Sequence, residues 1–148
     1  MRGFLLVPVF AFSTSATAAD FTIAPTSFSG AYRWSVQSGG AQPKINPTLS
    51  VSRGKSYVFD VGATATHPFW ITTDGTWPIA NAYAGSGLSA NGVVSHTLIT
   101  FDVPQNAPET LFYNCGNHST MVGEIDVSIF RDGFGGGLVV PSQHTHGA

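Results

Sequence analysis

Hydrophobic and polar residues alternate along most of the chain, which is the pattern of a half-buried β-strand. In the stretch from Thr48 to Ser52, for example, Leu49 and Val51 lie on one face and polar residues on the other. We find no convincing helical period and no internal repeat. The residues predicted to face inward from the clearest strands are Leu49 and Val51; Tyr57, Phe59 and Val61; Phe69 and Ile71; Leu111, Tyr113 and Cys115; and Ile125, Val127 and Ile129.

About seven or eight short strands follow from this pattern, separated by residues that favour turns. They are predicted around residues 21–23 and 32–36, over 48–52, in the runs YVFDV and HPFWITT, and over 93–103, 110–115 and 123–129. Residues 76–91 have no clear period and are predicted to form a long surface loop. The expected fold is an all-β, antiparallel Greek-key β-sandwich.

The two ends of the chain differ from this central pattern. Residues 1–19 have the layout of a secretory signal peptide: Arg2, an apolar run over residues 4–12, and then small residues with an A-x-A cleavage pattern. A bilayer-spanning helix needs about 20 apolar residues, more than this run contains, although an uncleaved anchor is the alternative. Residues 20–130 are then one domain, and residues 131–148 are predicted to be a flexible tail. We expect an exported protein, with the periplasm as the first choice.

Charged residues are sparse, and their balance is slightly acidic. Six Lys and Arg oppose eight Asp and Glu, a formal net charge of −2, and charged residues make up 9% of the chain. A nucleic-acid-binding domain would show a basic face, so no nucleic-acid partner is expected. After cleavage of the signal peptide we expect no membrane span, and we expect a monomer.

The single cysteine, Cys115, lies in the run YNCGNHSTM. One cysteine cannot form an intramolecular disulfide, so in an exported domain its thiol must be buried or occupied. A buried, inert cysteine is the simpler interpretation. However, His118 and Met121 follow as C-x2-H-x2-M in a short loop after a predicted strand. Thiolate, imidazole and thioether form a soft ligand set that favours copper, whereas zinc accepts thioether poorly.

A three-ligand site would need a second histidine from elsewhere in the chain. His67 is the best candidate, because it begins a predicted strand and so also lies at a strand end. His96 lies inside a predicted strand and is interpreted as a surface residue. His144 and His146 belong to the predicted tail, where an H-T-H motif would bind a metal weakly and a solvated tail is the simpler interpretation.

The segment from residue 46 to residue 129 resembles the cupredoxins, the family of small blue-copper proteins. The run NPTLSVSRGKSYVFDV is similar to the family's turn-linked strand pair, and THPFWITT is similar to the strand that carries the first histidine. The run TLFYNCGNHSTMVGEIDV resembles the ligand loop and last strand. The spacing C-x2-H-x2-M is that of the short loop in amicyanin-like members.

This resemblance implies one type 1 copper ion, with His67, Cys115 and His118 as strong ligands and Met121 as a long, weak axial ligand. It implies a protein that carries single electrons between a redox protein donor and acceptor outside the cytoplasm, with His118 at the exposed edge. The family also places an apolar patch there. Candidates for the patch are Pro68, Phe69, Val122 and the run Trp77-Pro78-Ile79, with the core as an equal alternative for Phe69 and Val122.

Two positions depart from the family pattern. Many members have asparagine after the first histidine, where this chain has Pro68, and amicyanin-like loops often have proline where this chain has Asn117. That asparagine helps to fix the loop that holds the cysteine, so the surroundings of the ligands must be built differently here.

Three other functions compete with electron transfer. The first alternative is a periplasmic copper-binding or copper-delivery protein without an electron-transfer partner. Enzymes that contain cupredoxin domains, such as multicopper oxidases, use several domains and more histidines than the five present here, so we expect no enzyme activity. The last alternative is a sandwich domain that has lost its metal.

Overall fold

The computed structural model describes residues 18–129, and the account that follows is confined to them. Apart from Ala18 and Ala19, the predicted signal peptide lies outside the described residues, as do the predicted tail and its two histidines. Nine strands are present: β1 (Phe21–Phe28), β2 (Ala31–Ser38), β3 (Lys44–Ile45), β4 (Leu49–Ser52), β5 (Ser56–Gly62), β6 (Phe69–Thr72), β7 (His96–Asp102), β8 (Thr110–Cys115) and β9 (Val122–Ser128). None of the described residues belongs to a helix long and apolar enough to span a membrane.

The strands form two sheets, with orders β3-β2-β1-β5-β7 and β4-β9-β8-β6. This confirms the predicted all-β sandwich. The sheets are mixed rather than purely antiparallel, because β1 pairs with β5 and β4 pairs with β9 in parallel. Strands β4 to β7 alternate between the two sheets, so neighbours in sequence are not neighbours in a sheet. Alternation of residue types has the same period in both kinds of pairing, so the sequence pattern could not distinguish them.

The core lies between the two inner faces, as the predicted rows of side chains require. Phe59 faces inward from β5, Phe69 from β6 and Tyr113 from β8, and all three are fully buried. One predicted inward residue is wrong: Ile129 is 61% exposed, because β9 ends at Ser128. The described residues that line the core are Phe21, Ile23, Trp34, Val36, Leu49, Val51, Phe59, Val61, Ala63, Phe69, Ile71, Tyr83, Ile99, Phe101, Val103, Ala107, Leu111, Tyr113, Cys115, Met121, Ile125 and Val127.

The long loop predicted over residues 76–91 contains no named strand, but it does more than cover the surface. The Asn91 side chain accepts a hydrogen bond from Ile71 N and donates one to Ile71 O, each at 2.8 Å. Tyr83 N also donates to Ile71 O, and Tyr83 is buried. The loop therefore satisfies the open edge of β6, which would otherwise present unpaired backbone groups.

The β1–β2 hairpin extends to the end of the sandwich where the ligand candidates lie. Its two-residue turn, Ser29-Gly30, has φ of 52° and 75°, as a type I′ turn requires. Because β1 pairs with β5 only over Phe21–Ile23, the far half of the hairpin continues past β5. Tyr32 lies on the same face of β2 as the buried Trp34, which is the core face.

Gly123 is required by the packing of a tyrosine ring against β9. A Cβ added to Gly123 would lie 2.2 Å from Tyr113 Cζ and Oη. The ring cannot easily move, because Tyr113 is fully buried and its hydroxyl donates a 2.5 Å hydrogen bond to Pro47 O. We therefore expect Gly123→Ala to lower the free energy of unfolding by about 1–3 kcal/mol in urea denaturation.

Gly40→Ala is the matched control, because a Cβ there meets no atom within 4 Å. Its free energy of unfolding should stay close to that of the unmodified chain. Equal stability of the two variants would contradict the packing role of Gly123.

Candidate metal centre

A tight turn holds His67 just before β6. The His67 backbone N–H donates to Thr64 O at 2.9 Å and to Thr64 Oγ1 at 3.1 Å, and Thr64 N donates back to His67 O at 3.3 Å. The His67 residue is only 8% exposed. The turn therefore presents its imidazole to the interior end of the sandwich rather than to solvent.

Cys115 is the last residue of β8, and the loop after it folds back tightly. Cys115 N donates to Met121 O at 2.9 Å, and Met121 N donates to His118 O at 3.1 Å. In the ladder between β6 and β8, Cys115 lies opposite Phe69, two residues after His67. The strand pairing and the short loop thus bring three candidate ligands to one point.

The donor atoms of His67, Cys115 and His118 all lie within 4.8 Å of one another. Cys115 Sγ is 3.5 Å from His118 Nδ1 and 3.9 Å from His67 Nδ1. Ligands about 2.0–2.3 Å from an ion and arranged trigonally lie roughly 3.7 Å apart. The observed separations therefore fit one metal ion held by all three side chains, with both imidazoles offering Nδ1.

The surroundings of the three candidate ligands favour the binding of a cation. Burial, and to a lesser extent repulsion from His118, holds the pKa of His67 below its usual value of 6.5. The imidazole of His67 is therefore neutral at pH 7, with a free lone pair. Asn117 N also donates a hydrogen bond to Cys115 Sγ at 3.5 Å. Among the described residues, no carboxylate belongs to the group.

Met121, the fourth candidate ligand, is fully buried. Asn114 lies opposite Val122 in the antiparallel ladder of β8 and β9, so Cys115 lies opposite Met121 in the next pair. Opposed residues share a face of the sheet, with Cβ atoms about 4.5–5.5 Å apart. The side chain of Met121 is thus on the same face as Cys115, while its role as a ligand stays a prediction.

Asn117 and Gly116 form hydrogen bonds to the backbone on either side of His67. The Asn117 side chain donates from Nδ2 to Thr66 O at 3.0 Å and to Ala65 O at 3.3 Å, in the turn that holds His67. Gly116 N donates to Pro68 O at 2.9 Å. Asn117 therefore ties together the two segments that carry the candidate ligands. Sequence alone could not show this, because the bonds join segments about 50 residues apart.

Tyr32 is the site residue that the sequence analysis missed. Its ring centroid lies 4.7 Å from the ring centroids of both His67 and His118, which are themselves 4.7 Å apart. The alternation of Tyr32, Trp34 and Val36 was a usable signal, because it puts Tyr32 at the end of an inward-facing row. The alternation does not show that the hairpin brings Tyr32 against His67 and His118.

The structure also shows where the remaining histidine and the candidates for the apolar patch lie. His96 is a surface residue as predicted, with its side chain 69% exposed and Nε2 2.5 Å from Asp60 Oδ1. Phe69 belongs to the core, the alternative considered for it, and Val122 is half-buried. Trp77 is exposed, and its Nε1 donates to Gly116 O at 3.2 Å.

A shallow apolar groove of about 520 Å³ runs beside the ligand loop. We call it the loop groove, and it includes the predicted patch residues Pro68, Pro78 and Ile79. The residues that line it are Pro68, Trp70, Pro78, Ile79, Ala80, Ala82, Gly92, Val94, Gly116 and Asn117.

No protein-family model and no curated protein matches this sequence. Among solved structures, the chain is similar to a purple cupredoxin from Nitrosopumilus maritimus, with a TM-score of 0.43 and 13% identity over 75% of this chain and 100% of that one. It is also similar to the reduced Cu(I) form at pH 4 of an amicyanin mutant, with a TM-score of 0.41 and 14% identity over 78% and 87% of the two chains. The McoA multicopper oxidase from the hyperthermophile Aquifex aeolicus gives a TM-score of 0.44 and 14% identity, over 74% of this chain but 26% of that one. Similarities at this level carry no conclusion about function, which has to come from the side chains of the site.

The role of Asn117 can be tested without any metal. Asn117→Ala removes both side-chain bonds to the His67 turn, and we expect the free energy of unfolding to fall by about 0.5–1.5 kcal/mol. Asn117→Asp keeps the shape but replaces the amide donors by acceptors that face two carbonyls, so it should be at least as destabilising. Urea denaturation of the metal-free chain measures both. Asn106→Ala, at an exposed asparagine before β8, is the control, and equal stability of all three variants would contradict the proposed tie.

Proposed function

We propose that this protein is an exported cupredoxin-type electron carrier with one type 1 copper ion. His67, Cys115 and His118 would be its strong ligands, and Met121 its weak axial ligand. One observation carries the proposal: the sulfur of the chain's single cysteine lies 3.5 and 3.9 Å from the Nδ1 atoms of two histidines, beside a buried methionine. When bound, copper would supply the one-electron chemistry that none of these side chains provides alone.

The donor set favours copper over zinc. Structural zinc sites take four ligands, usually thiolates, imidazoles or carboxylates. The described residues supply one cysteine sulfur and two imidazoles to this group, and Met121, whose backbone accepts a hydrogen bond from Cys115 N, offers a thioether. One thiolate, two imidazoles and a weak thioether are the ligands of a blue-copper site.

The frame around the ligands suits electron transfer, because its ligands have little freedom to move. His67 is fixed by its turn, Cys115 by the ladder between β6 and β8, and Asn117 joins the two segments. A site of this kind changes oxidation state with little rearrangement. Within residues 18–129, one group of three His, Cys, Asp or Glu side chains could hold an ion, which matches the single copper ion of the proposed carrier.

The loop groove is the surface that we propose for transient contact with a redox protein donor or acceptor. It is apolar, and it includes Gly116 and Asn117 of the ligand loop, so a partner seated there would lie close to His118. The net charge of −2 offers little long-range attraction, which favours short-lived apolar contact. The signal-peptide pattern supports an exported, most readily periplasmic, location.

The deciding experiment is the visible absorption spectrum of the purified chain after addition of Cu(II), beside the Cys115→Ser variant. An intense blue thiolate-to-copper band, absent in the variant, would support a type 1 site. A green or yellow band would keep copper but indicate a distorted site. Copper bound weakly, or only as Cu(I), would favour the copper-delivery alternative, and no binding would refute the proposal.

Met121→Leu tests the axial ligand. Leucine preserves the buried volume but removes the thioether, so copper and its blue band should persist. Cu(II) needs donor electrons more than Cu(I) does, so losing a donor should raise the reduction potential, measured by spectroelectrochemistry. Val51→Leu is the control for a change of buried side chain away from the site. An unchanged potential in Met121→Leu would show that Met121 is not a ligand.

Ile79→Asp tests the loop groove. A carboxylate there should slow bimolecular electron self-exchange severalfold, because two copies would have to bury a charge when they meet. The rate is measured by NMR line broadening in mixtures of the reduced and oxidised protein. Leu98→Asp makes the same change at a 62% exposed leucine outside the groove, and it should leave the rate near that of the parent. Equal rates for both variants would exclude the groove as the contact surface.

A further inference from the structure

The ring of Tyr32 packs against both His67 and His118, and the proposed electron transfer does not by itself explain this contact. Its ring centroid is 4.7 Å from those of both His67 and His118, and its ring planes are tilted from theirs by 59° and 57°. Tyr32 is 47% exposed, whereas His67 is 8% exposed. One side of the phenol ring is therefore in solvent, and the other side shields the imidazoles.

The direction of β2 and hydrogen bonds from the ligand loop set the position of the Tyr32 ring. Tyr32 continues the inward-facing row of Trp34 and Val36, so the backbone of β2 sets its direction. Thr120 Oγ1, from the ligand loop, donates to Tyr32 O at 2.8 Å. Asn46 donates from Nδ2 to Thr120 O at 2.9 Å and accepts from Trp34 N at 2.8 Å. Tyr32 is thus fastened to the loop that carries His118.

An exposed tyrosine ring in this place has a chemical consequence. A trigonal copper ion with one weak axial ligand can accept a further small ligand if water or an anion reaches it. A ring packed on both imidazoles takes up the space through which such a ligand would approach. The hydrophobic ring also lowers the local polarity, which disfavours an incoming anion.

We propose that Tyr32 is a lid that keeps small anions and water from the metal centre, so that the site exchanges electrons without exchanging ligands. This inference rests on the proposed copper site for its functional meaning. The shielding of the two histidines, however, is a property of the chain itself. In this proposal Tyr32 is not a metal ligand, and its ring determines which small molecules can reach the metal.

The first test needs no metal. Diethyl pyrocarbonate is added to the metal-free chain, and carbethoxylation of each histidine is followed by peptide mass spectrometry. In Tyr32→Ala, His67 and His118 should react severalfold faster than in the parent chain. His96 is exposed and lies outside the site, so it serves as the internal reference and should react at the same rate in both.

The second test uses the copper-loaded chain and sodium azide as the small anion. Tyr32→Ala should show a new azide-to-copper absorption band that saturates with azide concentration, whereas the parent should show none over the same range. Tyr32→Phe should behave like the parent, because the ring and not the hydroxyl forms the lid. Phe28→Ala, at a 55% exposed residue on the opposite face of the same hairpin, is the matched control and should also stay closed to azide.

The outcomes separate the lid from the copper site. Absence of a blue band in the parent, together with faster histidine modification in Tyr32→Ala, would overturn the proposed function but support the lid. A blue parent that binds azide as readily as Tyr32→Ala would overturn the lid. Unchanged histidine modification in Tyr32→Ala would do the same. If Tyr32→Ala does not fold, Tyr32→Leu replaces it, and the same increases in reactivity are required of that variant.

Discussion

The pairing of β6 with β8 is the interaction on which the proposed metal centre depends. It places Phe69 opposite Cys115, and the hydrogen bond from Gly116 N to Pro68 O continues it one step further. Side chains that are 48 residues apart in sequence, His67 and Cys115, thereby come within reach of one ion. The buried faces of the sandwich hold this ladder in register, since a slip of one residue would turn Phe69 and Cys115 outward. The core thus fixes the relative positions of the proposed ligands as well as the fold.

Much of this arrangement could be predicted from the sequence, because it depends on local patterns. The inward rows of β4, β5, β8 and β9 follow from alternation, and β8 begins and ends where the pattern places it. The cysteine, histidine and methionine lie in one short segment, so their proximity needs no knowledge of the fold. His67 was harder, and its assignment relied on its position at a strand end together with the cupredoxin resemblance.

What the sequence did not reveal are contacts between distant segments. The parallel pairs β1–β5 and β4–β9, the bonds of Asn117 to the His67 turn and the position of Tyr32 all depend on how separate strands are arranged in space. Asn117 illustrates the difficulty well. In the sequence it is a polar residue in a Gly-Asn pair, which is typical of a flexible loop. In the structure its side chain forms hydrogen bonds to the turn that holds His67. The type of a residue restricts the contacts that it can make, but it does not determine which distant residue it contacts.

The tight loop between β8 and β9 has a consequence for how this protein can change over generations. Cys115, His118 and Met121 sit within seven consecutive positions, closed by the backbone bond between Cys115 N and Met121 O. An insertion or deletion there would displace three of the proposed ligands at once, whereas the other connections between strands would keep their lengths. A change in the length of this loop would therefore act on the proposed ligands more than on the strands that surround them. Asn117 is the exception, since it belongs to the loop and yet fastens the frame, and a remodelled loop would have to replace that tie.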